Sequence, residues 1–155
     1  MGGGGKKMKK IVWIMGILVI SLIAKEAPAS KPDDAQSVKA GEITTKDLHK
    51  LISDDVEEFY ILDIREPDQI HHGEIFHLNL VSITRGYLEF KIEKAIPDKK
   101  AHIIVYCCSG QRGALAAKTL QEMGYANVYN LKGGMRQWVD DGYPLDTVFG
   151  EMIVK

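Results

Sequence analysis

Cysteine is scarce, with two in 155 residues. That excludes a disulfide-built scaffold, which needs several pairs, and any four-cysteine zinc site. An excess of charge of one sign is missing too. Lys and Arg number 20 against 21 Asp and Glu, a net charge of −1, so no general basic surface is present to hold nucleic acid. No apolar run reaches membrane-span length. The longest, Ile11 to Ala24, has 14 uncharged residues, about 21 Å as a helix against a hydrocarbon core of roughly 30 Å. A multi-span membrane protein is therefore excluded. Hydrophobic residues at 45% and charged residues at 26% exclude a disordered or collagen-like chain as well. What remains is a small single-domain protein whose informative features are local.

The apolar run has a purpose of its own. Lys6, Lys7, Lys9 and Lys10 precede it, and Ala27-Pro28-Ala29 follows, with small residues where a signal peptidase reads. This is the order of a secretory signal, so residues 1–29 are expected to direct export to the periplasm or beyond and to be cut away. The alternative is an uncleaved anchor, which leaves the domain membrane-attached and facing outside the cytoplasm. Residues 1–7 read as a cloning scar or a misplaced start, because Met8-Lys9-Lys10 is itself a good signal start. Losing residues 1–29 removes five of the 20 basic and one of the 21 acidic groups, leaving 15 against 20, a net charge of −5. That sign argues against nucleic acid and anionic membranes as partners. Residues 30–41, with Pro32, Asp33 and Asp34, read as a polar lead-in, residues 42–148 as the folded domain, and 149–155 as a C-terminal tail.

Within the domain, Thr44-x-x-Asp47 before Leu48, Leu51 and Ile52 predicts a capped helix start, with Asp in place of the usual Glu. Tyr60-Ile61-Leu62, ending at Asp63, suits a buried strand, and Leu78 to Ile83 a weaker one. His102 to Tyr106 is β-branched, unbroken and the clearest strand. Ala114 to Leu120 is a strong helix former stopped by Gly124. Asn127 to Tyr129 predicts a brief strand and Gly134 to Asp141 a last helix, with Trp138 at core spacing from Met135. Strands alternating with helices imply an α/β fold with a parallel sheet covered on both faces. Ligands of such sheets sit at the carboxyl ends of strands.

That rule selects Cys107-Cys108-Ser109-Gly110-Gln111-Arg112-Gly113, lying between the best strand and the best helix. A thiol there meets free backbone N–H groups and the positive end of a helix, and both favour the thiolate. Gly110 and Gly113 let the loop curl so that successive amides can hold an anion, with Arg112 over the same pocket. On residues alone the two cysteines fit equally well as small buried hydrophobes.

Three spaced stretches resemble the rhodanese-like family. The family's Leu-x-Asp-Val-Arg-Glu stands here as Ile61-Leu62-Asp63-Ile64-Arg65-Glu66, and its Cys-x-x-Gly-x-Arg as Cys107 to Arg112. The closing signature is matched by Leu131-Lys132-Gly133-Gly134-Met135-Arg136-Gln137-Trp138, then Gly142-Tyr143-Pro144. The resemblance implies a three-layer α/β fold, with a central mainly parallel sheet of about five strands between helices. It implies sulfur transfer without a cofactor or metal. Cys107 is the nucleophile that takes a sulfane sulfur from a small anionic donor, thiosulfate or polysulfide. It hands that sulfur to cyanide or a thiol. The loop amides from Cys108 through Ser109, Gly110 and Gln111 to Arg112 would hold the persulfide, and the Arg112 side chain the donor. Asp63 and Arg65 would shape the pocket floor. Phosphatase-like relatives carry one more residue between Cys and Arg, and neither Cys107 nor Cys108 has that spacing to Arg112.

Ser82 to Glu89 also resembles periplasmic polysulfide-sulfur transferases, in which an arginine at the position of Arg85 helps hold polysulfide and the protein pairs as a homodimer. A surface arginine before a short helix is the plainer reading. Cys108 either packs or attacks the Cys107 persulfide and releases sulfide. A disulfide between neighbours is disfavoured, because their Cα atoms lie 3.8 Å apart, below the usual range. The Gly73-Glu74-Ile75-Phe76-His77-Leu78 stretch keeps only Gly73 and Ile75 of the family pattern. His71, His72 and His77 have no acidic or cysteine partner at a ligating offset, so no metal is expected. Two other uses stay open: a sulfur carrier serving a membrane-bound partner of sulfur metabolism, and a non-catalytic interaction module.

Overall fold

The computed structural model describes residues 41–54 and 58–154, so the expected signal and nearly all of the lead-in lie outside the described residues. Five strands form one sheet: β1 (Glu42–Ile43), β2 (Tyr60–Asp63), β3 (Leu80–Ser82), β4 (His102–Tyr106) and β5 (Asn127–Leu131). Their order is β1-β5-β4-β2-β3, and every neighbouring pair is parallel. The α/β expectation holds, with five strands in the sheet.

Alternation along the strands builds two cores. Leu62, Ile64, Ile103, Val105 and Cys107 join one cluster with Leu88 and Ile92 of α3 (Leu88–Ala95) and Ala116, Ala117 and Leu120 of α4 (Gln111–Glu122). Ile61, Ile104 and Tyr106 face the other way, toward Leu48 of α1 (Thr45–Asp54) and Met135 and Trp138 of α5 (Gly134–Asp140). The two-residue period of a strand therefore sends Cys107 toward the α4 side and Tyr106 toward the opposite face.

Helix ends follow local chemistry. The Thr44 hydroxyl accepts the Asp47 N–H at 3.1 Å, capping α1 as expected, and donates to the Asp47 carboxylate at 2.6 Å. Gly124, at φ +93°, ends α4. The short α2 (Pro67–Ile70) opens with proline at its first turn and a Glu66–Gln69 capping box. Beyond α5, β6 (Leu145–Thr147) and β7 (Gly150–Met152) form an antiparallel hairpin, so the stretch read as a tail from 149 onward carries a strand. The weak strand read over Leu78 to Ile83 shrinks to β3, and Leu78 is exposed.

Candidate active site

After β2 the chain moves outward to β3, and after β4 it moves the opposite way to β5. The crevice outside the carboxyl ends of β2 and β4 is thus the point where strand order reverses, the place such sheets reserve for ligands. Asp63 ends β2, and Cys107 immediately follows β4.

Cys107 is 1% exposed. Its Sγ accepts the Gly110 N–H at 3.2 Å and the Gly113 N–H at 3.4 Å. The amides aim inward because the loop's first carbonyls are drawn outward. Met135 N donates to Cys107 O at 2.8 Å and Arg136 N to Cys108 O at 2.9 Å. Those two N–H groups belong to the first turn of α5 and have no partner inside their own helix. The close fit explains the glycines. A Cβ at Gly134 would stand 2.4 Å from Cys107 O and 2.8 Å from Gly110 N. Gly110 has φ +86°, the turn that the loop requires. Gly113 is needed for space rather than for curl, since a Cβ there would lie 2.1 Å from Asn130 Oδ1. Of the loop residues expected to line the pocket, Gly110 and Gly113 are the pair whose N–H groups reach Sγ.

A buried ionic cluster lies at the end of β2. Arg65 donates to the Asp63 carboxylate through Nε at 3.0 Å and Nη2 at 2.6 Å, and Asp63 also accepts the Arg65 N–H and the Tyr106 hydroxyl at 2.6 Å. Arg65 is 3% exposed and Asp63 0%. Burial is the largest single influence and pulls the Arg65 pKa down, but the hydrogen bond to Asp63 and the charge interactions and hydrogen bond with Tyr106 and Asp63 together outweigh it and hold the pKa above the ordinary value. Burial, and then the Asp63 charge, push the Tyr106 hydroxyl well above its usual pKa, so it stays a donor. Arg65 also donates to Gln69 O at 3.2 Å and Gly73 O at 2.8 Å, which pins the segment carrying α2 over the sheet end.

Through α2 that cluster reaches Arg112. Gln69 Oε1 accepts Arg112 Nη2 at 3.1 Å and the Glu66 N–H at 3.3 Å. The same Arg112 nitrogen lies 3.4 Å from Cys108 Sγ. Arg112 is thus held at the loop rim by an uncharged partner, leaving its charge for an anion. Gln69→Ala is expected to raise KM for an anionic donor by about three- to tenfold with kcat nearly kept, as measured by initial rates over a donor series.

Ser109 and Gln111 are exposed at the loop surface, where only their backbone shapes the cradle. Arg85 is not brought to this loop. It pairs with Glu89 at 2.8 Å and donates to the Thr119 hydroxyl at 3.2 Å. Thr119 lies eight residues along α4 from Gln111, about 12 Å down the helix axis. Gln69, Tyr106 and the α5 amides are site components that the sequence reading missed.

Beside the cluster, Glu74 and Asp146 are joined by backbone hydrogen bonds of 2.9 Å in both directions. Burial raises the Glu74 pKa, helped by the charges of Asp63 and Asp146. The folded state therefore binds a proton more tightly here than the unfolded chain. Stability contributed by the protonated form is present below the unfolded value of 4.5 and is lost as pH rises through the folded one. Glu74→Gln is expected to raise Tm by about 1–2 °C at pH 7, with the difference vanishing near pH 4, in thermal melts across pH.

A half-turn of backbone amides around a buried thiol, at the reversal point of a parallel sheet, defines a cysteine-loop α/β protein. The comparisons name its family: residues 44–141 match the Rhodanese-like domain, and the chain belongs to that family. A sulfurtransferase of Allochromatium vinosum is 29% identical over 104 residues, covering 67% of this chain and 92% of that protein. The thiosulfate sulfurtransferase GlpE of Actinobacillus succinogenes is 30% identical over 112 residues, covering 70% and 93%. Among solved structures, the polysulfide-sulfur transferase homodimer of Wolinella succinogenes is 33% identical with a TM-score of 0.59, covering 68% of this chain and 77% of that one.

Proposed function

We propose that this chain is a sulfurtransferase that carries sulfane sulfur as a persulfide on Cys107 and works outside the cytoplasm. The supporting observation is the pair of N–H groups of Gly110 and Gly113 on a buried Sγ, with Arg112 at the rim. In the first step the Cys107 thiolate attacks the outer sulfur of thiosulfate. The donor's S–S bond breaks and sulfite leaves with the electron pair. Polysulfide reacts in the same way, with a shorter polysulfide leaving. The new terminal sulfur carries the negative charge into the amide cradle, as an oxyanion hole receives oxygen. Cyanide or a thiol then attacks that sulfur, and Cys107 departs as thiolate. Six residues from Cys107 to Arg112 make a small ring suited to sulfur, and the sulfurtransferase names of the relatives agree. Export rests on residues 1–29.

The test is intact mass of the reduced chain lacking residues 1–29 after incubation with thiosulfate and, separately, with polysulfide. The expected result is the gain of one sulfur, lost on adding cyanide. No gain with either donor overturns the proposal and leaves an interaction module as the better account. N-terminal sequencing of the exported chain is expected to start at Ser30, and a start at Met8 or earlier in a membrane fraction would establish an anchor instead.

A further inference from the structure

The reaction proposed above uses one thiol, yet the loop holds two. Cys107 is buried with its sulfur under the Gly110 and Gly113 amides. Cys108 is half-buried, unpaired by any disulfide, and its Sγ lies 3.4 Å from Arg112 Nη2. Its neighbour on that guanidinium is Gln69 Oε1, a neutral group. A thiol held only for packing belongs in the apolar interior, away from a cation. This one stands at the loop rim, in contact with a guanidinium.

We propose that Cys108 is a relay thiol that takes the sulfane sulfur from Cys107 and presents it to thiol acceptors. The inference rests on the Cys107 persulfide of the proposed function. In the step, the Cys108 thiol gives its proton to the outer sulfur of the Cys107 persulfide anion, and Cys108 Sγ attacks that sulfur. The bond between Cys107 Sγ and that sulfur breaks, and Cys107 leaves as thiolate with the electron pair. A new S–S bond joins the sulfur to Cys108, and the proton travels with the transferred sulfur. One negative charge, one proton and one sulfane sulfur stand on each side, so nothing is oxidised or reduced and no further reactant is needed. Arg112, in contact with Cys108 Sγ, faces the charge that develops there during the transfer, and the Gly110 and Gly113 amides receive it on Cys107. Attack on the inner sulfur would instead expel sulfide and close a ring between neighbouring residues, which the short Cα separation disfavours.

The experiment loads the chain with one equivalent of polysulfide, quenches with an alkylating agent at increasing times, and locates the sulfur by fragment masses between residues 107 and 108. In the unsubstituted protein the label is expected at Cys107 first and then shared with Cys108. Cys107→Ser is expected to carry none at either position. Cys108→Ser is expected to hold it at Cys107 and to lower the ratio of thiol to cyanide transfer about fivefold, a split that a packing role would not produce. Label confined to Cys107 at all times in the unsubstituted protein, with an unchanged transfer ratio in Cys108→Ser, overturns the relay and leaves the Cys107 persulfide standing. No label anywhere overturns both. Label on Cys108 that persists in Cys107→Ser overturns the relay order, since Cys108 would then load by itself.

Discussion

Cys107→Ser is expected to abolish sulfur loading, and Gly134→Ala to come close while leaving the thiol in place. The first loss is chemical, because a serine hydroxyl neither attacks sulfane sulfur nor holds it as a persulfide. The second is geometric and more informative. Gly134 sits at φ +59°, where an L side chain is strained by about 1–2 kcal/mol. Its added Cβ would meet Cys107 O at 2.4 Å and Gly110 N at 2.8 Å, both backbone atoms of the cradle. Neither can swing aside as a side chain would, so α5 retreats or the loop shifts. Either motion breaks the bonds from Met135 N and Arg136 N that turn the loop carbonyls outward. The amides then lose their aim at the sulfur, and removing such a donor lowers rates by about 10²–10³-fold. Gly142→Ala is the control: Gly142 also has positive φ, at +76°, but nothing lies within 4 Å of its Cβ position. It should lower Tm and leave loading unchanged, as read by mass gain against time. Equal loading rates in Gly134→Ala and Gly142→Ala would show that the α5 turn does not set the cradle.

The residues that carry the chemistry were legible because they are punctuated. A β-branched strand, a glycine loop and an alanine-rich helix follow one another at His102 to Leu120, and that order alone places Cys107 at a strand end. The sheet was legible for the same reason, through Tyr60–Asp63 and Asn127–Leu131. The missed parts share a physical cause. α2 has four residues, too few for helical periodicity, although Pro67 and the Glu66–Gln69 spacing were signals of a helix start. The short helix expected after Arg85 is present as α3, with Leu88 and Ile92 at helical spacing and buried. Gln69 meets Arg112 across 43 positions, and the α5 amides meet the loop across 28, distances over which no local pattern operates. Arg85 shows the reverse failure. Its motif is local and readable, but the Glu89 carboxylate one helical turn on and Thr119 across the α3–α4 contact hold it down the side of α4. Tertiary pairing decided where that charge points.

The largest stability effect is expected at Asp63. Asp63→Ala removes the carboxylate that receives Arg65 and Tyr106, leaving a guanidinium and a phenol buried without their main acceptor. Breaking one side of a buried ion pair destabilises by about 3–5 kcal/mol, because the remaining charge has lost both water and partner. Chemical denaturation should show that loss as a fall in midpoint with little change in slope. Asp63→Leu combined with Arg65→Met separates stability from function. Exchanging both partners for apolar groups of similar volume removes the unpaired buried charge, so that part of the loss should return, while the Tyr106 hydroxyl and Gly73 O stay without their partners. Donor binding should not return with it, because Arg65 also holds Gln69 O and Gly73 O and thereby sets α2 against Arg112. The double variant is thus expected to melt between Asp63→Ala and the parent and to show a raised KM for the anionic donor, in the direction expected of Gln69→Ala. A double variant with parental KM would mean that Arg112 keeps its place without the Arg65 bridge, and the buried pair would then serve folding alone.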